Sequence, residues 1–345
     1  MANEYNVIER AQRGELTIEA MCLGESMMAV VPEPPMELRR AKGFALNPAG
    51  AESNVAMILS ALGHRSAWAS LVGQDELGHR LVETITAHGV NTSAVRFIEG
   101  APTGVMFKDM KQGKTAVMYY RRNSAASLMD STMIGCVRAS GASILHLSGI
   151  TPALSPSCAL LTQDLLSQRE LTEVTTISFD VNYRPALWPT RVEAAELLRR
   201  LANLADVVFV GLDEATALWE IDSIDELREV LPSPTRIVVK DAGHQATEIG
   251  VGSIVCEPAP PVQVLESVGA GDAFAAGWLS AYLRGGDANQ RLKLGHLIAE
   301  ASLLSTADVG TIPEMGRIAA IFPTAAEPEI AAHGVAAISE LGGKE

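Results

Sequence analysis

The sequence predicts an α/β protein: a mostly parallel sheet with helices on both faces and a small β-sheet lid. Three observations predict it. Short runs of β-forming residues alternate with segments whose apolar residues recur at helical spacing, the order that builds parallel sheets. The chain has 345 residues, 48% of them hydrophobic and 20% charged, which is ample material for a large core. Two segments, Met27–Pro48 and Pro102–Arg122, are rich in β-formers and turn residues and carry no helical period.

Taken in order, Met21-Cys22-Leu23 marks a strand over Glu19–Gly24. Val55, Ile58, Leu59 and Leu62 share one face of a helix over Ala51–Leu62, which Gly63 stops. Ser66–Val72 reads as a strand and Glu76–His88 as a helix ended by Gly89. A strand at Ser143–Leu147 leads to a helix over Pro156–Arg169. Thr175–Asp180, Val207–Val210 and Arg236–Lys240 are strands, with a helix over Arg191–Leu204 between the first two. Helices near Ala270–Leu283 and Asp287–Leu304 follow. The two β-rich segments are inserted among these units, so they are expected to pair over the strand carboxyl ends, where such sheets bind ligands. Residues 1–19 and 321–345 read as extensions around one domain over 20–320.

Composition narrows the partners. Lys plus Arg is 27 and Asp plus Glu is 41, a net charge of −14 that repels nucleic acids and anionic membranes. Aromatics at 5% argue against a stacking platform for single strands. Cys22, Cys136, Cys158 and Cys256 are scattered without a C-x-x-C, so reduced thiols are expected. The charged N-terminus has no apolar signal region, and no run is long enough to span a bilayer. The expected location is the cytoplasm and the expected partners are small molecules.

The stretch E-S-V-G-A-G-D-A-F-A-A-G-W-L, Glu266–Leu279, sets glycines before a long small-and-apolar helix. Such glycines let backbone approach a ligand, and the helix start offers unpaired N–H groups at the positive dipole end. Val268–Gly271 can therefore cradle a developing negative charge beside Asp272. Alternatively Asp272 is only a first-turn charge favoured by the dipole, worth at most ~1 kcal/mol. The four letters G-A-G-D do not separate these readings.

Motif context does. Gly269–Phe274, G-A-G-D-A-F, resembles the signature D-T-x-G-A-G-D-x-F of the ribokinase-like carbohydrate kinases, the PfkB family. Gly50–Ala56, G-A-E-S-N-V-A, is similar to that family's sugar-binding turn and helix, and Leu71–Gly78 to its V-G-x-D-x-x-G pattern. The resemblance runs from about Met21 to Gly310. It implies a ribokinase-like fold, ATP and Mg2+, Asp272 as catalytic base, and an anion hole from the amides of Gly269, Ala270 and Gly271. It implies sugar contacts at Gly50, Ala51, Glu52 and Asn54, and nucleotide contacts at Lys240, Gly243, Gly269 and Gly271. It also implies a homodimer through the lid sheet.

Within the family, Tyr119–Ser127, His146–Ser155 and Phe179–Trp188 resemble kinases of 2-keto-3-deoxygluconate. The resemblance places Tyr119, Arg121 and Arg184 on the acid sugar. A guanidinium grips a carboxylate bidentately, so two arginines in two matching motifs favour an acid substrate over a neutral one. The expected reaction is phosphorylation of the 6-hydroxyl. Two other readings stay open: a kinase for fructose or 5-dehydro-2-deoxygluconate, and a sugar-binding protein with a decayed nucleotide site.

Several positions depart from the family pattern. Glu266 stands where the signature has the aspartate of a monovalent-cation loop, here expected to take K+. The magnesium motif N-x-x-E reads Gly211-Leu212-Asp213-Glu214, which leaves Glu214 to order the metal's waters. The glycines around Gly243 are shifted. Gly113-Lys114-Thr115 ends like a P-loop but lacks the earlier glycine, Lys108 standing there instead. His146, and Phe274 with Trp278, read as structural residues.

Overall fold

The computed structural model describes residues 18–111, 114–167, 176–221, 223–305 and 309–322. The terminal extensions fall almost wholly outside the described residues, as do Gly113, Arg169 and Thr175. The strands are β1 (Ala20–Leu23), β2 (Met27–Pro32), β3 (Phe44–Ala49), β4 (Ser66–Gly73), β5 (Asn91–Ile98), β6 (Val105–Lys111), β7 (Lys114–Tyr120), β8 (Ile144–Ser148), β9 (Thr176–Asp180), β10 (Val207–Gly211), β11 (Arg236–Asp241), β12 (Gln245–Gly250) and β13 (Ser253–Pro258). The helices are α1 (Ala51–Ala61), α2 (Glu76–Ala87), α3 (Ile134–Ser140), α4 (Thr151–Leu154), α5 (Pro156–Ser167), α6 (Arg191–Ala202), α7 (Leu212–Trp219), α8 (Ile224–Val230), α9 (Ala270–Leu283), α10 (Ala288–Leu303) and α11 (Met315–Ala319).

Nine strands form one sheet in the order β13-β12-β11-β10-β9-β8-β1-β4-β5. The β1 to β11 members run parallel, as Met21↔Ala67 and Val208↔Ile237 register, while β12 and β13 add an antiparallel edge. The chain builds outward from β1 to β5, then crosses back to β8, and that reversal opens a crevice at the strand carboxyl ends. The central strands are buried along their whole length, which explains their continuous apolar runs. The sequence reading missed β5, β12 and β13. Strands β5 and β13 are the sheet's edges, with exposed and half-exposed positions, and β12, though buried from Ala246 to Ile249, has its apolar run broken by Thr247 and Glu248.

The two β-rich segments pair as expected. They form a four-stranded sheet of order β3-β2-β6-β7. Strand β3 runs straight into Gly50 and α1, so the lid and one wall of the crevice are covalently continuous.

One apolar core lies on each face of the large sheet. Leu145, Phe179, Leu198 and Val208 belong to one, and Met57, Trp68, Phe209 and Trp278 to the other. Helix α9 is small or apolar nearly all round because it is buried nearly all round. Trp278 fixes its position: the ring meets Phe209 edge-on at 5.4 Å, and its N–H donates to Glu248 Oε2 at 3.0 Å. Among the described residues no helix is long and apolar enough to cross a membrane.

Candidate active site

A cavity of about 890 Å3 lies beneath the lid, lined by residues just past the carboxyl ends of β1, β8, β9, β10 and β11. Its two ends differ in construction.

At one end stands the start of α9. Gly269 has φ +86°, a left-handed conformation that a side chain would strain, and from it the helix leaves with first-turn N–H groups unpaired by the helix itself. Ala270 N–H makes only a long contact, 3.4 Å, with the Ser267 carbonyl. Asp272 sits in that first turn, where Asn54 Nδ2 from α1 donates to its Oδ2 at 2.9 Å. Burial pushes the Asp272 carboxyl up to about 6, against the Asn54 hydrogen bond that lowers it, and Asp180 pushes it further. Lys240, at the end of β11, bonds Asp180 Oδ2 at 2.8 Å. Burial alone would pull its ammonium down; Asp180, Glu214 and Asp272 outweigh burial and hold it above its ordinary value. A Cβ built on Gly271 would lie 3.5 Å from Lys240 Nζ, so the ammonium borders the helix start. Glu214 caps α7: Oε2 accepts from Gly211 N and Oε1 from Tyr183 N, each at 2.9 Å. Burial raises its pKa.

The other end is assembled from distant segments. Gly50 caps α1 so close to the turn after β1 that a Cβ would lie 2.3 Å from the Glu25 carbonyl. Ala51 and Asn54 line the wall beyond it. From β7, Tyr119 stands half out in solvent, with the Arg121 guanidinium 5.8 Å from its ring centre. Arg121 is ion-paired with the fully buried Glu25 Oε2, while Glu25 Oε1 accepts from Ser124 Oγ at 2.5 Å. Arg184 is half exposed, 3.7 Å from Glu214 Oε1.

Most residues chosen from sequence therefore meet in one cavity: Gly50, Ala51, Asn54, Tyr119, Arg121, Arg184, Glu214, Lys240, Gly243 and Gly269 to Asp272. Two do not line it. Glu52 is fully buried in the first turn of α1. Its Oε1 accepts from Ser148 N, Ser148 Oγ and Thr151 Oγ1, which ties α1 to the segment after β8. Glu266 is 4% exposed and faces the lid, where Oε2 accepts from Thr115 Oγ1 at 2.8 Å and lies 3.8 Å from Lys108 Nζ. The arginines bring a feature that the sequence did not show. Both reach the cavity, and each has a carboxylate beside it, Glu25 for Arg121 and Glu214 for Arg184, which moderates its positive field.

Sequence reasoning missed Glu25, Asp180 and Asp213, all of which line the cavity. The available signal was position: Asp180 ends a buried parallel strand and Glu25 and Asp213 lie two residues past one, where ligands bind. His146 is structural as expected, 1% exposed, with Nδ1 2.7 Å from Ser178 Oγ and burial taking its pKa down to about 4. Trp278 lies in the core, whereas Phe274, 4% exposed, also touches the cavity. Among the described residues no three His, Cys, Asp or Glu side chains gather as a metal cage. Asp213 and Glu214 do suit Mg2+ carried in on phosphates, which takes one or two carboxylates and keeps its waters.

Comparison with known proteins places these features. The family description "pfkB family carbohydrate kinase" matches residues 17–315. A 2-dehydro-3-deoxygluconokinase of Bacillus subtilis is 32% identical over 309 residues, covering 88% of this chain and 95% of its own. A probable fructokinase-5 of Arabidopsis thaliana is 29% identical over 304 residues, covering 85% and 92%. A putative ribokinase II of E. coli, solved with ATP and Mg2+, shares the fold with a TM-score of 0.78 at 17% identity, covering 89% of this chain and 99% of its own.

Proposed function

The chain belongs to the pfkB family of carbohydrate kinases, and from that premise we propose that it transfers a phosphoryl group from ATP to the 6-hydroxyl of 2-keto-3-deoxygluconate. One observation carries the reading. The cavity that holds Asp272 against a helix start is also lined by two arginines, Arg121 and Arg184, whose guanidinium groups suit the carboxylate of a sugar acid. The Bacillus subtilis relative supports the same choice.

Asp272 takes the proton from the sugar hydroxyl, and its raised pKa makes it a better acceptor than an ordinary aspartate. The freed oxygen bonds to the γ-phosphorus as the bond to the ADP leaving oxygen breaks. The amides of Gly269, Ala270 and Gly271 face the equatorial oxygens, displacing the weak Ala270–Ser267 contact. Lys240 stands beside them as a fixed positive charge, and Gly243 lets the nucleotide approach the backbone. Mg2+, when bound, offsets phosphate charge; Asp213 and Glu214 are the carboxylates that would hold it through waters. Gly50, Ala51, Asn54 and Tyr119 shape the sugar end. The lid excludes water, which limits futile hydrolysis of ATP. Phe44, Met118 and Tyr120 are exposed on the lid and support its pairing with a second copy.

The second reading is a fructose kinase. The Glu25–Arg121 pair favours it, because a neutralised arginine asks less for an anionic partner. The sugar-binding alternative loses to family membership and to the assembled Asp272 site. The deciding experiment is ADP release from ATP and Mg2+ with 2-keto-3-deoxygluconate, gluconate, fructose and ribose side by side. Turnover with the keto-deoxy acid alone is expected; preference for fructose overturns the acid reading and keeps the kinase.

A further inference from the structure

We propose that Lys108, reaching from the lid to Glu266, supplies the positive charge beside the anion-hole loop, so that phosphoryl transfer needs no monovalent cation. The proposal rests on the kinase reading above and deepens it.

Glu266 is 4% exposed and Lys108 1%. A carboxylate buried that far needs a partner charge or several hydrogen bonds. Glu266 has both. Oε1 accepts from its own loop, Ser267 N at 3.0 Å and Val268 N at 3.3 Å. Oε2 accepts from Thr115 Oγ1 at 2.8 Å and faces Lys108 Nζ at 3.8 Å. Each carboxylate oxygen is thus engaged. A potassium ion at this carboxylate would sit against an ammonium of similar size and the same charge. The residues present do not fit the ion that the family pattern led us to expect.

The geometry also gives Glu266 a task. Its main-chain N–H, like that of Leu265, is directed at the Leu303 carbonyl at the end of α10, so the loop is tied to the body of the protein. Its side chain sets the direction of the Ser267 and Val268 amides, one residue ahead of Gly269. Lys108 lies on β6 and Thr115 on β7, both strands of the lid. One carboxylate therefore joins the lid to the loop that stabilises the transferring phosphoryl. The departure from aspartate has a reason here: the longer arm folds back on its own amides while still reaching the lid. Neither Lys108 nor Glu266 lines the cavity, so both are positioning residues. Sugar held by Tyr119 and Arg121, at the end of the same β7, would keep Thr115 and Lys108 seated. This links an occupied sugar site to a formed anion hole.

The test compares wild type, Lys108→Met and Lys108→Arg in potassium-free tetramethylammonium buffer, then with potassium or sodium chloride at equal ionic strength. The first readout is turnover of whichever of the four sugars is best. Wild type is expected to be indifferent to potassium. Lys108→Met should lose about tenfold or more in kcat with little change in sugar KM, and potassium or methylammonium should restore part of it. Lys108→Arg should keep most of kcat. The second readout, thermal unfolding with ADP bound in potassium against sodium, needs no turnover. Only Lys108→Met should gain potassium-specific stability. Activation of the wild type several-fold by potassium over sodium would overturn the proposal, and so would a Lys108→Met enzyme with unchanged kcat. If Lys108→Met fails to fold, the wild-type and Lys108→Arg responses decide. If fructose is turned over and the keto-deoxy acid is not, the substrate reading fails and the cation result stands.

Discussion

The end of the cavity proposed for phosphoryl transfer centres on one stretch, Ser267 to Asp272, whereas the end proposed for the sugar draws Glu25, Gly50, Arg121 and Arg184 from four separate segments. The first is preorganised by local backbone: a left-handed Gly269, a helix start and a carboxylate in its first turn. The second depends on where the lid lies and on which charges pair across it. The first meets the lid at one carboxylate, Glu266, through Lys108 and Thr115, whereas the second is assembled by the lid itself. Substitutions at the phosphoryl end should therefore cost kcat with every sugar, and those at the sugar end should sort one sugar from another.

The largest effect is expected at Asp272. Asp272→Asn keeps size and removes the proton acceptor, so kcat should fall by about 10²- to 10⁴-fold with nucleotide affinity by calorimetry unchanged. A fall of only a few-fold would put the base elsewhere. In the wild type, kcat/KM should rise with pH through about 6, because Asp272 is protonated and idle below that value. Asn54→Ala removes the hydrogen bond that favours the ionised form, so the same limb should move to higher pH. An unmoved limb would mean that Asn54 acts only in packing.

The sugar end gives a smaller and more selective result. Arg121→Met should raise KM for an acid sugar by about 10²-fold and KM for fructose by much less. Glu25→Gln removes the charge that neutralises Arg121, so it should lower KM for the acid sugar. Opposite signs for the two substitutions, measured by steady-state kinetics, would establish the pair as a selector. Equal losses with both sugars would make it a structural latch.

The same contrast explains what could be read in advance. The α/β order, the lid pairing and the bounds of α9 were legible because each rests on local pattern: alternation, turn residues and a buried helix that is small or apolar all round. Asp272 was singled out because the glycine turn and helix start that hold it are its own sequence neighbours, although Asn54 reaches it from afar. Glu25 was not, since what makes it part of the site is Arg121, which lies far along the chain and arrives by lid folding. Asp180 was hidden in the same way, acquiring its role from Lys240 on a different strand. Glu266 was singled out, but its neighbour Lys108 was not foreseen, because nothing local connects the two.

Glu52 offers the finest test of where the sugar end stops. It belongs to the same motif as Gly50 and Asn54, yet it lies fully buried beneath them with Oε2 lacking a hydrogen-bond partner among the described residues. Burial raises its pKa from 4.5 to about 7, against hydrogen bonds from Ser148 and Thr151, and Asp272 adds to the rise. An acid whose folded pKa is raised costs stability once the unfolded chain ionises. The cost starts near 4.5, grows toward 7 and then levels, up to about 3 kcal/mol. Glu52→Gln keeps an oxygen for Ser148 and Thr151 and carries no charge. Its urea midpoint should fall less than that of wild type between those two pH values, with kcat and sugar KM changed by about twofold at most. A selective rise in sugar KM would move Glu52 back into the sugar end, and an unchanged pH dependence of stability would show that its proton is not held by burial.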